Sequence, residues 1–350
     1  MRPFCSLFSN KFSKYLLAVT IVLLVCFTLL FLYVWNKLEL IQYSDEIDHI
    51  VSVDQMEDTF VDIGNLWIDP SSPRIPNTEV ISNEHVLNIL LIGTDERSND
   101  FHYAARSDCM ILVSINTEQQ TVKLVSFERG IGVPILEGEY EGQYDLLTHI
   151  FRWGGSELLV KTIEHCFKID IDHYVRVNFN SVKMIVDEID GIEVTLSNAE
   201  AGAINTELYA GCQVMVSGIN HLNGKEALSF ARLRKIDSDW QRVERQRKVI
   251  LAVVEKLKDS DLLTINDLAD TVLPMVQTDM SKRDIAGLVL YAPSFLKSSF
   301  DQLTIPKQGT YGGMKIRNDS YAFAVDYEIN NDLLYRFLYD GVSSSALLAE

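Results

Sequence analysis

The chain has 350 residues, 47% of them hydrophobic, which is enough for one large domain or two small ones. Its 49 acidic residues against 31 basic ones give a formal net charge of −18. This charge, and the absence of a helix-turn-helix pattern, argue against a nucleic-acid partner. The five cysteines are scattered and include no CxxC pair, which argues against a disulfide framework or a zinc site. We expect them to be small buried hydrophobic residues.

Residues 15–35 form an uncharged apolar run, YLLAVTIVLLVCFTLLFLYVW. At about 1.5 Å per residue this run spans about 30 Å, the thickness of a bilayer core. It is too long for a signal peptide, and no cleavage pattern follows it. We therefore predict a cytoplasmic tail (1–14), one transmembrane helix (15–35) and an acidic juxtamembrane stalk (36–85). Basic residues precede the run, so the N-terminus is expected in the cytoplasm and the bulk of the chain outside a cell membrane.

From residue 86 onward, strand and helix patterns alternate along the chain. This interleaving predicts an α/β layered domain over residues 86–345, in which helices cover a central sheet. A polar turn between the second and third strands suggests a hairpin. Strands are predicted at 86–92, 110–115, 121–127, 173–179, 192–196 and 229–233, and helices at 156–166, 181–189 and 237–250.

Charged residues follow or precede several of these strands. Asp95 follows the first strand in GTDERS, and Asp108 precedes the second in ARSDCM. Carboxylates at neighbouring strand ends can share Mg²⁺, which takes its other ligands from phosphates and water. The alternative is that each aspartate only caps its own loop. Arg129 follows the third strand, where it could join a cationic site or pair with Glu128.

The most unusual segment is KEALSFARLRKIDSDWQRVERQRK, which holds five arginines and three lysines in an otherwise acidic chain. Guanidinium groups bind phosphate oxygens two at a time, so the segment predicts a phosphate site. On the predicted strand, Arg232 and Arg234 point to one face. On the helix that follows, Arg242 and Gln246 are four residues apart and share a face. The alternative is a solvated basic helix face interleaved with acids.

Seven motifs occur in one order: NILLIGTDERS, ARSDCMILVSIN, VKLVSFERG, WGGSELLVKTIEHCFKIDIDHYVRVNF, VDEIDGIEVTL, INHLNGKEALSFARLRK and DWQRVERQRKVI. From about residue 88 to 251 the chain resembles the LytR-CpsA-Psr family. The resemblance implies an α/β/α sandwich with a central mixed sheet. It also implies transfer of an anionic glycopolymer, such as teichoic acid or capsular polysaccharide, from undecaprenyl pyrophosphate to peptidoglycan through a phosphodiester link. The implied partners are this lipid-linked polymer, the peptidoglycan acceptor and the membrane.

The resemblance also implies roles for individual residues. Asp95 and Asp108 are implied as the ligands of a Mg²⁺ cofactor. Three arginines are implied as catalytic: Arg129, Arg232 and Arg234. The implied pyrophosphate-binding set is Arg106, Arg129, Arg232, Arg234, Arg242 and Gln246.

Three positions depart from the family pattern. Gly130 stands where an aspartate usually follows the arginine, Gln241 where a glycine is common, and Thr148 where an asparagine is usual. If the missing aspartate assists proton removal, Glu128 or Glu137 could stand in for it. Two alternatives to transfer stay open: a lipid pyrophosphatase with water as the acceptor, and a non-catalytic polyprenyl-phosphate binder that acts as an envelope regulator.

Overall fold

A computed structural model describes residues 25, 28–29, 31–43, 73–96, 105–208, 214–234, 236–295, 298, 300–317 and 320–349. In chain order its strands are β1 (Gln42–Tyr43), β2 (Val86–Thr94), β3 (Ser107–Asn116), β4 (Thr121–Phe127), β5 (Gly132–Pro134), β6 (Tyr144–Leu146), β7 (His173–Asn178), β8 (Ile192–Leu196), β9 (Gly218–Leu222), β10 (Gln277–Thr278), β11 (Phe300–Ile305), β12 (Tyr311–Lys315) and β13 (Tyr321–Val325).

Within this described part, a seven-stranded central sheet has the order β1–β10–β7–β2–β3–β4–β11. The pairs β2–β3 and β3–β4 are antiparallel, whereas β2–β7 and β4–β11 are parallel. The sheet is therefore mixed. The other strands form the two-stranded pairs β5–β6, β8–β9 and β12–β13.

The predicted hairpin is confirmed, and local chemistry explains its turn. The Asn116 side-chain oxygen accepts the backbone N–H groups of Glu118 at 3.0 Å and of Gln119 at 2.7 Å. Asparagine forms such turns readily because its side chain replaces a backbone acceptor. The turn brings Thr121 opposite Asn116 and sets the register of β3 with β4.

Helices cover both faces of the sheet. Their bounds are α1 (Leu147–Phe167), α2 (Phe179–Glu188), α3 (Asn198–Leu208), α4 (Gly224–Arg232), α5 (Asp239–Lys258), α6 (Leu262–Val272), α7 (Lys282–Phe295), α8 (Tyr327–Leu338) and α9 (Ser344–Ala349). On one face, α1 and α8 pack on Leu90 and Phe127 in the largest apolar cluster. On the other face, α2, α4 and α5 approach Leu91, the next residue of β2. This is the layered architecture expected for the domain.

The predicted strand at residues 229–233 is wrong, because most of these residues belong to α4. Asn223 and Glu226 form a capping box: the Asn223 side chain accepts the Glu226 N–H at 3.0 Å, and the Glu226 carboxylate accepts the Asn223 N–H at 2.9 Å. Such a box starts a helix by satisfying two free donors. Arg232 is the last residue of this helix and Arg234 lies beyond it, so they do not share the face of a strand.

The helix predicted at residues 156–166 is longer than expected. It begins at Leu147 and bends at Gly154 and Gly155, whose φ angles are −163° and 63°. Only glycine adopts the second of these angles readily, which explains why two glycines stand at the bend.

The predicted tail (1–14) and most of the predicted transmembrane helix (15–35) and stalk (36–85) lie outside the described residues. Where the structure describes the chain, it contains no helix that is both long enough and apolar enough to cross a bilayer. The start of the predicted stalk contacts the domain, because β1 pairs with β10 at the edge of the sheet. In the same region Lys282 Nζ lies 3.3 Å from Glu39 Oε1.

Candidate functional site

Asp95 and Asp108 lie where two neighbouring strands meet. The register pairs Thr94 of β2 with Ser107 of β3, and both of these side chains are fully buried. The register shifts between Gly93 and Thr94, so Asp108 is the extra residue of a β-bulge between Ser107 and Cys109, and Asp95 follows the end of β2. Asp95 Oδ1 accepts the backbone N–H of Arg106 at 2.9 Å, and Asp95 Oδ2 lies 3.6 Å from Arg106 Nε.

Asp108 connects two arginines that are remote along the chain. Its Oδ1 accepts a hydrogen bond from an Arg129 terminal nitrogen at 3.2 Å, and its Oδ2 accepts one from Arg234 at 2.9 Å. Gln246 of α5 donates to the backbone carbonyl of Asp108 at 3.3 Å. The end of β4, the segment after α4 and the middle of α5 therefore converge on one residue, Asp108.

Asp239, the first residue of α5, is a second carboxylate in this cluster. Its Oδ2 accepts from Arg129 Nε at 2.6 Å, and its two oxygens each lie 3.1 Å from an Arg242 terminal nitrogen. From the sequence alone, Asp239 belongs only to the acids that interleave the basic segment. The available signal was its position three residues before Arg242, a spacing that brings side chains together on a helix.

The charges of this guanidinium cluster (Arg129, Arg234 and Arg242 with Asp108 and Asp239) are partly compensated. Burial alone would lower the pKa of Arg129, but Asp239 and Asp108 raise it. Burial alone would raise the pKa of Asp239, but Arg242 and other neighbours hold it below its usual range. Arg129 and Arg242 are only 6% and 1% exposed, so these carboxylates fix both guanidiniums before any ligand binds.

The two other predicted anion-binding arginines lie at the margins of the cluster. Arg106 is next to Asp95. Arg232 is exposed, and its guanidinium carbon lies 4.4 Å from the centroid of the Phe179 ring, a cation–π arrangement. Phe179 opens α2 and was not singled out from the sequence.

Two arginines of the basic segment have structural partners instead. Arg245 is 1% exposed, and its terminal nitrogens donate to Asp237 at 2.6 and 2.8 Å and to the Leu233 carbonyl at 2.7 Å. Arg247 donates to Ser126 at 3.1 Å and to the Leu303 carbonyl at 3.2 Å. The segment therefore divides into residues that face the cluster and residues that hold α5 in place.

The positions that depart from the family pattern lie around the backbone of Arg129. The Thr148 N–H donates to the Arg129 carbonyl at 3.2 Å, and the Phe323 N–H donates to the Gly130 carbonyl at 2.9 Å. The loop that carries Arg129 is thus held by α1 and by β13. Gln241 is an exposed residue in the first turn of α5.

An apolar cavity of about 270 Å³ opens beside the cluster, between the sheet and helices α2, α4 and α5. Arg232 and Gln246 belong to its wall, and Gln246 also donates to the Asp108 carbonyl, so the cavity borders the guanidinium cluster. Cys109 also lines it, and burial raises the pKa of this thiol to about 12. Its apolar lining includes Leu91, Val175, Val177, Phe179, Val182, Ile185, Leu228, Val249, Ile250, Val253 and Val254.

Of the two cysteines in the described residues, Cys166 is buried as predicted, whereas Cys109 is only half-buried. Cys109 and Cys166 are both free thiols. Cys166 is fully buried, and burial raises its pKa to about 12. Neither thiol is therefore a thiolate near neutral pH, which is the inert hydrophobic role expected from the sequence.

The fold and cluster together define a layered α/β domain that presents fixed guanidiniums beside an apolar cavity. The chain matches the LytR_cpsA_psr family over residues 58–336 and belongs to that family. It is 33% identical over 220 residues to the polyisoprenyl-teichoic acid–peptidoglycan teichoic acid transferase TagT of Bacillus subtilis strain 168, covering 62% of this chain and 67% of that protein. It is 30% identical over 235 residues to the corresponding transferase TagU of Bacillus mycoides, a match that covers 66% of this chain and 72% of that protein.

Solved structures show the same likeness. The structure of TagT bound to LIIa-WTA matches with a TM-score of 0.59 and 28% sequence identity. The match covers 78% of this chain and 97% of the TagT chain. The family resemblance drawn from the seven motifs is thereby confirmed.

Proposed function

We propose that this protein transfers an anionic glycopolymer, of the teichoic acid or capsular polysaccharide class, from an undecaprenyl-pyrophosphate carrier to peptidoglycan. The observation that carries the proposal is that an apolar cavity borders the guanidinium cluster. A polyprenyl pyrophosphate has an anionic head joined to an apolar tail. Arg232 and Gln246 lie at the junction that such a molecule would cross.

The cluster suits the chemistry of phosphoryl transfer, in which positioning and charge neutralisation dominate. Arg129 and Arg242 are fixed by carboxylates, so they lose little freedom when an anion binds. Arg234 is 46% exposed and can turn toward the phosphates. These groups would hold the pyrophosphate and stabilise the charge that develops on the departing undecaprenyl phosphate. The acceptor hydroxyl oxygen bonds to the saccharide-linked phosphorus, the bond from that phosphorus to undecaprenyl phosphate breaks, and the hydroxyl proton is released to water.

We also propose that Asp95 and Asp108 hold Mg²⁺ when the lipid pyrophosphate binds. They lie at the adjoining ends of two paired strands. Each carboxylate oxygen has more than one lone pair, so the arginine contacts do not exclude a cation. Across the described residues, no three acidic, histidine or cysteine side chains group as metal ligands. Two carboxylates completed by phosphate and water are a usual Mg²⁺ set, and the ion would neutralise phosphate charge.

The proposed transmembrane helix at residues 15–35 would keep the domain at the outer membrane surface. A polyprenyl carrier is confined to the same surface, so anchoring would raise its effective concentration near the cavity. The link between the apolar run and the domain is thus part of the proposed activity.

The test uses the full-length protein in detergent, a lipid-pyrophosphate-linked saccharide and peptidoglycan fragments, with transfer followed by mass spectrometry. We expect transfer that needs the acceptor and stops when divalent cations are chelated. Arg234→Ala should reduce the rate by about 100-fold, as for loss of one transition-state donor. Lys248→Ala is the matched control, since it removes a half-exposed cation of the same segment that pairs with Glu244 at 3.0 Å.

Each alternative gives a different result in this assay. Release of the saccharide phosphate at the same rate without peptidoglycan would identify a lipid pyrophosphatase. Tight binding without any turnover would identify a non-catalytic binder. Equal loss in Arg234→Ala and Lys248→Ala would reject the assigned site.

A further inference from the structure

Glu128 is a buried carboxyl group that the proposed transfer does not use. It immediately precedes Arg129 and is 0% exposed. Neither of its oxygens accepts a hydrogen bond from any donor in the described part of the chain. Arg129 and Arg242, whose charges act on Glu128, direct their hydrogen bonds to Asp239 and, for Arg129, also to Asp108.

We propose that Glu128 is a neutral carboxylic acid that donates a hydrogen bond to Asp239 and holds that residue in place to bind Arg129 and Arg242. Glu128 is then a positioning residue of the anion site and not the base for the acceptor hydroxyl. The inference rests on the proposed function only in taking the guanidinium cluster as the pyrophosphate site.

The geometry distinguishes which of the two acids carries the proton. Glu128 and Asp239 each shift the pKa of the other, and two interacting carboxyl groups can hydrogen-bond only when one of them is protonated. Asp239 accepts from both arginines and its side chain is 27% exposed. A charge on Glu128 would be buried without a donor, which is costly. The proton therefore belongs on Glu128.

The electrostatics agree with this assignment. Burial, and then the charge of Asp239, raise the pKa of Glu128 well above its usual range, although Arg242 and Arg129 oppose the shift. Tyr311 of β12 is also close enough to sense Glu128. The pKa of the Tyr311 phenol is raised by burial first, and then by the charge that an ionised Glu128 would carry. Two adjacent carboxyl groups that share one proton are a known means of separating their pKa values.

A neutral Glu128 preserves the positive charge of the cluster. Three guanidiniums (Arg129, Arg234 and Arg242) then face two carboxylates, which leaves one net positive charge for an anion. Ionisation of Glu128 would cancel this charge. Anion binding should therefore weaken as pH rises through the Glu128 ionisation.

The first test detects the proton directly and needs no ligand. Infrared difference spectra are recorded between the full-length protein and Glu128→Gln near neutral pH. The expected result is a carbonyl-stretch band of a protonated carboxyl group in the parent that is lost in the variant. Absence of that band would overturn the proposal, whatever the protein catalyses.

The second test measures binding of geranylgeranyl pyrophosphate by calorimetry from mildly acidic to alkaline pH. The glutamine N–H can still donate to Asp239 and never ionises. At neutral pH, Glu128→Gln should therefore bind the ligand within about threefold of the parent. At alkaline pH, the variant should keep this affinity while the affinity of the parent falls. Glu128→Leu removes the donor and should weaken binding about tenfold or more. A tenfold loss of affinity in Glu128→Gln, or the same alkaline loss of affinity as in the parent, would contradict a neutral Glu128 that donates to Asp239.

Transfer assays on the same samples separate this outcome from a failure of the proposed function. A parent protein that binds the ligand but does not transfer leaves the role of Glu128 intact.

Discussion

Replacement of Asp239 by asparagine tests the central feature of the site, the two buried guanidiniums held by one carboxylate. Arg129 donates to Asp239 at 2.6 Å, and Arg242 makes two contacts with it at 3.1 Å. Asparagine preserves the shape of the side chain but removes its charge. Arg242 then lacks its ionic partner, whereas Arg129 keeps Asp108 at 3.2 Å.

The expected loss of stability follows from these contacts. Removal of one partner from a buried ion pair costs about 3–5 kcal/mol. The Asp239 side chain is 27% exposed and Arg129 retains a second carboxylate, so we expect about 2–4 kcal/mol for Asp239→Asn. The measurement is the midpoint of denaturant unfolding at constant slope. Glu244→Gln is the matched control on the same helix, where a half-exposed pair should contribute less than about 1 kcal/mol.

The pH dependence supplies an independent check. Despite burial, Arg242 and Arg129 hold the pKa of Asp239 below its usual range. A carboxyl group with a lowered native pKa contributes stability above its unfolded pKa of about 3.9 and loses that contribution as pH falls through the native value. The stability difference between the parent and Asp239→Asn should therefore shrink in acid. If Asp239→Asn is no less stable than Glu244→Gln at neutral pH, or if the difference is constant with pH, Asp239 does not hold these arginines.

The remaining predictions concern the cavity and the division of roles among charged residues. Val177→Phe should weaken binding of geranylgeranyl pyrophosphate about tenfold, because excluding two methylenes of the ligand from the cavity costs about 1.6 kcal/mol. Binding of inorganic pyrophosphate should stay unchanged. The control Val289→Phe, at a site 59% exposed, should change the binding of neither ligand. Arg245→Ala should destabilise the fold by about 3–5 kcal/mol, whereas Arg234→Ala should lower transfer with little loss of stability; similar stability losses in both would reject this division. Above about pH 4.3, the stability of Glu128→Gln relative to the parent should rise with pH. The reason is that the raised pKa of Glu128 in the folded parent makes the parent lose stability as pH rises toward that pKa. A relative stability that does not change with pH would contradict a protonated Glu128.

The sequence predicts most of the central sheet and most residues of the cluster, but not how their charges pair. Continuous apolar runs such as 86–92 can only be buried on both faces, so their strand assignment follows from hydrophobicity alone. The strand prediction at residues 229–233 is wrong because the alternating apolar residues there resemble a strand. The signal that decides the structure is the capping box of Asn223 and Glu226, which lies before these residues. Local periodicity and capping have to be read together.

The pairing of charges is harder to predict, because it depends on contacts that no local pattern records. Arg129 and Asp239 are 110 positions apart along the chain, and Asp108 and Arg234 are 126 apart. In the sequence Asp239 has the same appearance as Asp237, yet Asp237 holds the structural Arg245 and Asp239 holds the cluster. Only the docking of α5 against the ends of β3 and β4 distinguishes them.

The same docking explains how a chain of net charge −18 can offer a site for a polyanion. Exposed acids act on a ligand through water and salt, and their field fades over about 8 Å at physiological ionic strength. The buried guanidiniums act at contact distance in a medium of lower polarity, where each charge counts for more. Arg129 and Arg242 can be buried only because carboxylates accompany them, and one uncompensated guanidinium then suffices to set the local sign. The acidity of the chain and the cationic character of its cluster are therefore compatible, provided that no further buried carboxylate ionises beside the cluster.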